Sequence, residues 1–137
     1  MNTALKIRTH EIVEQYATKW RSLLAWGAPI PMEFKLKPHR GTINLGFAYP
    51  GRGTCEIKIT GSLSRDLATL LHEYAHLAAP TGEHHDIAWK TVYARAAAEA
   101  FGCDVDDFEL DVTKYDMDKQ VIDACEVWLD ELAMGDA

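Results

Sequence analysis

Residues 72 to 76 read His-Glu-Tyr-Ala-His. On a helix, residues four apart stand one turn above each other on the same face. His72 and His76 can therefore aim two imidazoles at one metal ion. Glu73 lies about 100° further round the helix, beside that ion. That position suits a general base acting on water activated by the metal. A catalytic zinc takes three protein ligands and keeps a fourth position open, so a third ligand is required. The candidates are Glu83, His84, His85 and, one helix later, Glu99. His85 is favoured. It follows Ala79-Pro80-Thr81-Gly82, where the chain can reverse, and precedes Asp86-Ile87-Ala88-Trp89, where a new helical pattern begins. The expected cofactor is Zn2+, one ion per chain.

This chemistry needs a helix under the histidines. Leu67, Leu70, Leu71, Tyr74 and Ala78 recur at helical spacing and make that helix amphipathic. Tyr74 continues the stripe and belongs to the core. Ser62 and Ser64 are candidate N-caps, and Asp66 complements the dipole in the first turn. A second helix is expected from about Asp86 to Phe101. There Ala88, Val92, Ala96 and Ala100 share a face, and small residues allow close packing on the first helix. Gly102 ends it.

Around this pair, residues 4 to 26 read as an N-terminal helix. Its apolar stripe is Val13, Tyr16, Trp20, Leu23 and Leu24, with Trp20 and Trp26 as core aromatics. Gly27, Pro29 and Pro31 stop it. Residues 32 to 60 change to period two. Met32, Phe34 and Leu36 form one run, Ile43, Leu45 and Phe47 a second, and Cys55, Ile57 and Ile59 a third, with a turn at Pro50-Gly51-Arg52-Gly53. The expected arrangement is a three-stranded antiparallel meander with one face on the helices, and one of its strands is a candidate edge for pairing with extended peptide. Residues 103 to 115 read as an extended acidic connector. Residues 117 to 134 form a last helix whose apolar stripe is Val121, Ile122, Cys125, Trp128, Leu129 and Leu132. The class is α+β, in a single domain spanning 1–137, with a core of about 5–102 and an acidic C-terminal extension of 103–137.

Composition limits the function classes. Apolar residues make up 47% and charged residues 26% of the 137, a normal balance for a globular domain. No apolar run is long enough to span a bilayer, and the N-terminus lacks an apolar signal core. The expectation is a cytoplasmic protein without a membrane partner. Three unpaired cysteines, Cys55, Cys103 and Cys125, do not make a disulfide framework. Charge is unevenly placed. Residues 1–103 hold 12 Lys/Arg against 9 Asp/Glu, while residues 104–137 hold 2 Lys against 12 Asp/Glu, giving the net charge of −7. Lys35, Lys37, His39, Arg40, Arg52 and Lys58 make the strand region basic. A solvated sheet face explains them better than a nucleic-acid site, since no aromatic-interleaved pattern accompanies them. The acidic C-terminal helix reads first as a core helix with a solvated back and second as a docking surface for a basic protein partner.

His72-Glu73-Tyr74-Ala75-His76, followed by His85 and then Trp89, resembles the SprT-like zinc metalloproteases. Members of that family carry H-E-x-x-H, a variable loop, then His-Gly-x-x-aromatic. The resemblance covers roughly residues 5 to 102. It implies a zincin-like fold in minimal form, without the C-terminal zinc ribbon of many members. It also implies that His72, His76 and His85 are metal ligands, Glu73 the catalytic glutamate and Trp89 an aromatic packed near the site. Asp86 stands where the family carries glycine. The implied activity is hydrolysis of peptide bonds in a protein substrate, with a DNA-associated protease as one variant. The oxyanion would need a further donor, for which Tyr49, His84, Tyr93 and Arg95 are candidates. A rival of another class is a non-catalytic scaffold acting through its acidic C-terminal segment.

Overall fold

Helix α1 (Thr3–Leu23) opens the chain and turns one side inward: Val13, Ala17, Trp20 and Leu24 are buried. The row runs i, i+4, i+7, i+11 and leaves Leu23, expected in the stripe, 46% exposed. The computed structural model describes residues 3–24, 26, 36–38, 46–49, 54–79 and 84–135. Met32, Phe34, Ile43, Leu45, the turn at 50–53, Glu83 and the basic residues Lys35, His39, Arg40 and Arg52 lie outside the described residues.

Among the described residues three strands follow: β1 (Leu36–Pro38), β2 (Gly46–Tyr49) and β3 (Thr54–Ile59). Their arrangement corrects the expected meander. β2 and β3 do form an antiparallel pair, with Gly46 opposite Ile57 and Tyr49 opposite Thr54. β1, however, lies on the far side of β3 and runs parallel to it, so the order is β1-β3-β2. Period-two alternation sets which face a side chain takes; it does not choose a strand's neighbour. β3, at the centre, is covered on both faces. Cys55, Ile57 and Ile59 are buried on one face, and Glu56 on the other is only 5% exposed.

Helix α2 (Leu63–Ala78) carries the histidine motif and lies against β2, β3 and all the other helices. Ser62 occupies its N-cap position without a side-chain cap bond. The Ser64 hydroxyl instead reaches Glu126 on the last helix at 3.2 Å. Asp66 does more than complement the dipole. Its buried carboxylate accepts from the Thr60 and Gly61 amides and from the Thr60 hydroxyl. It thereby ties the end of β3 to the first turn of α2.

Helix α3 (Ile87–Phe101) begins at Asp86, whose side chain accepts from the Trp89 amide at 3.1 Å. It ends at Gly102 with φ of 68°, the left-handed cap that glycine adopts without a Cβ penalty. Ala94, Ala96, Ala97, Ala98 and Ala100 are all buried, so α3 sits close on its neighbours. A short 3-10 turn (Val105–Asp107) and the buried Phe108 lead into α4 (Lys114–Gly135). Met117, Val121 and Cys125 of α4 are fully buried and join the same core as α1, α2 and α3. Tyr16 and Trp20 of α1, Phe101 of α3 and Trp128 of α4 form an aromatic knot with ring centroids 5.0 to 6.0 Å apart. The class is α+β and mostly helical, with three helices and a small mixed sheet gathered around α2. Among the described residues, no helix is long and apolar enough to cross a membrane.

Candidate metal centre

Two helices meet at the site. α2 presents His72 and His76 from successive turns, and His85 arrives from the residue before the Asp86 cap of α3. The Nε2 atoms converge: His76 to His85 is 3.1 Å and His85 to His72 is 3.3 Å. All three ligand atoms lie within 4.8 Å of one another. One hydrogen atom can satisfy one such pair of ring nitrogens, not three. A tetrahedral ion with ordinary zinc–nitrogen bonds would set its ligand nitrogens about 3.3 Å apart, which matches the observed approach. The donor set therefore fits a divalent metal that accepts imidazole, with zinc the first choice.

The surroundings keep the His85 ring neutral and orient all three rings. Burial, helped by the neighbouring His72 and His76, lowers the His85 pKa to about 4. The Trp89 ring is fully buried and lies against all three imidazoles. It stacks on His76 at 5.3 Å and meets His72 and His85 edge-on at 4.7 and 4.6 Å. Its indole N–H donates to the His72 carbonyl at 3.2 Å. Trp89 thus has the packed position that the family resemblance implied. Asp86, where the family carries glycine, caps α3 and holds Trp89 by its backbone.

Glu73 is 5% exposed and leaves α2 on the side facing the sheet. A Cβ at Gly46 of β2 would come within 3.1 Å of the Glu73 carboxylate and 2.7 Å of the Glu56 carbonyl. Glycine at 46 is thus what lets the strand pass so close to the carboxylate. Burial pushes the Glu73 pKa up to about 7; Asp118 adds to the rise and His72 opposes it. Burial, and after it the Glu73 carboxylate, raises the Cys55 thiol to about 12 and keeps it protonated.

The other sequence candidates separate here. Glu99 accepts from the Trp26 indole and faces Arg95, so it does not join the histidines. His84 is exposed and outside the cluster among the described residues. Arg95 lies over the Trp26 ring at 3.7 Å, its other partner being Glu99. Tyr93 is fully buried, and its hydroxyl is 2.8 Å from Asp118 and 3.2 Å from the Ala68 carbonyl. Burial and Asp118 hold its pKa well above the usual phenol value, so it remains a donor to the carboxylate. Tyr49 ends β2 opposite Thr54.

Asp118 is the residue that sequence reasoning missed. It comes from α4, and its Oδ1 lies 2.8 Å from His72 Nδ1. In sequence it is one of many acids in an acidic helix. Its row on α4 was the available signal: Asp118 shares the i, i+4, i+7, i+11 row with Ile122, Cys125 and Leu129, an acid on the apolar face. No family model, curated protein or solved structure matches this chain.

Proposed function

We propose that this chain is a zinc-dependent peptidase of the SprT-like, zincin type, acting on a protein or peptide substrate. The observation that carries the reading is the convergence of three imidazole Nε2 atoms beside a buried glutamate on the same helix. His72, His76 and His85 would hold the ion. Zinc bound by three histidines supplies Lewis-acid chemistry, lowering the pKa of water at its open position and polarising a carbonyl. Glu73 takes the proton from the attacking water and passes it to the departing amine. A carboxyl group whose pKa is near 7 can do both at neutral pH. Trp89 excludes water behind the imidazoles and keeps their rings in place.

The sheet supports a peptide as the substrate class. Among the described residues β2 is an edge strand, and its Gly46 lies against Glu73. An extended peptide paired with that edge would run past the glutamate, held by main-chain hydrogen bonds.

The test is metal content of the purified protein by mass spectrometry, together with cleavage of an unstructured protein such as casein. Wild type should hold one zinc per chain. His85→Ala should lose it. Glu73→Gln should keep it and lose peptide cleavage by 10²-fold or more, on the order expected for a general base. Wild type that takes up no metal when zinc is supplied would overturn the proposal.

A further inference from the structure

Asp118 and His72 are 46 positions apart in sequence, yet they meet at 2.8 Å. An ionised carboxylate can only accept, so the facing Nδ1 of a neutral His72 carries the ring's hydrogen. That leaves Nε2 as a lone pair, and Nε2 is the atom turned toward His85 and His76. The Tyr93 hydroxyl donates to the same Asp118 oxygen, also at 2.8 Å. Oδ1 thus accepts two hydrogen bonds, one from α2 and one from α3, and both fix where the carboxylate sits. About a third of the Asp118 side chain stays exposed, against 17% of His72.

We infer that Asp118 is a positioning residue that sets the His72 tautomer and ring orientation, with Tyr93 holding Asp118 in place. The inference deepens the metal-centre reading above and gives the acidic C-terminal helix a role in it. Without the carboxylate, His72 can carry its hydrogen on Nε2 and donate it to His85 Nε2, 3.3 Å away. That form has no lone pair for the ion. A carboxylate behind a ligating histidine also raises the basicity of the ligand, and losing such a partner typically costs 10–100-fold in metal affinity.

The experiment uses Asp118→Asn, Asp118→Ala and Tyr93→Phe in the full chain. Zinc affinity is read by competition with a chromophoric chelator, and cobalt(II) absorption reports the ligand field. The His72 tautomer is read from imidazole nitrogen shifts in the metal-free protein. Wild type should show hydrogen on Nδ1. The Asp118 variants should move toward hydrogen on Nε2, bind zinc 10–100-fold more weakly and alter the cobalt spectrum. Tyr93→Phe should do the same to a lesser degree. A carboxylate that only stabilised the fold would shift the melting temperature and leave tautomer and spectrum as in wild type; that result overturns the inference. The tautomer needs no metal, so it still decides the role of Asp118 if wild type takes up no zinc and the peptidase reading fails.

Discussion

Glu73 and His85 are pushed in opposite directions by the same cause. Burial disfavours charge, so the carboxyl pKa rises to about 7 and the imidazole pKa falls to about 4. The consequences for stability have opposite signs. An unfolded glutamate releases its proton near pH ~4.3. Between that pH and 7 the folded, metal-free protein therefore holds a proton the unfolded chain has lost. Stability from Glu73 is full below ~4.3 and is lost as pH rises to 7. For His85 the unfolded chain holds the extra proton between pH 4 and ~6.5, so stability rises with pH across that window. The two oppose each other in wild type, and a substitution separates them. In zinc-free buffer, Glu73→Gln should be more stable than wild type at pH 8, by about 3–4 kcal/mol, and equal to it near pH 4. Urea midpoints at the two pH values check this. Equal midpoints at pH 8 would mean that Glu73 is hydrated and ordinary.

At the scale of elements, the site depends on how α3 starts. His85 is the last residue before the cap, so the cap sets the direction from which its ring approaches α2. Asp86 accepts from the Trp89 amide, and the Trp89 ring touches all three histidines. Replacing Asp86 with alanine should cost about 1 kcal/mol, while glycine, an acceptable cap residue, should cost only a few tenths. The expected order in thermal stability and in zinc affinity is wild type, then Asp86→Gly, then Asp86→Ala. An alanine variant indistinguishable from wild type in both would remove the cap from the account of the site.

For the whole molecule, α4 is the surprising partner. Its acids on the outer side, among them Asp116, Asp123, Asp130 and Glu131, are exposed, as a solvated back requires. Its inner side supplies Met117, Val121 and Cys125 to the core and Asp118 to His72. A chain ending at Thr113 would expose the facing surfaces of α2 and α3. It should lose the cooperative thermal transition of the full protein and bind zinc weakly if at all, because losing several fully buried side chains at once is comparable with the 5–15 kcal/mol by which domains are usually stable. Calorimetry of the truncated chain decides it. A sharp melt close to that of the full chain would make α4 an accessory rather than part of the fold.

Much of the site was legible in short-range spacing. Two histidines at i and i+4, a glutamate between them, an apolar stripe beneath and a capped helix eight to ten residues later are all relations within a few helical turns. The helix pair α2 and α3 follows from them, and the antiparallel pairing of β2 with β3 follows from period-two alternation. The remaining choices lie between segments far apart in sequence, where periodicity is silent. Packing decided that His85 rather than Glu99 meets the α2 histidines, because α3 turns Glu99 to Trp26. Packing placed β1 across β3 rather than beside β2, since alternation marks faces and not neighbours. It also brought an aspartate from the acidic helix to His72 Nδ1. Each of these is a contact between two surfaces that a one-dimensional pattern marks as buried without saying against what.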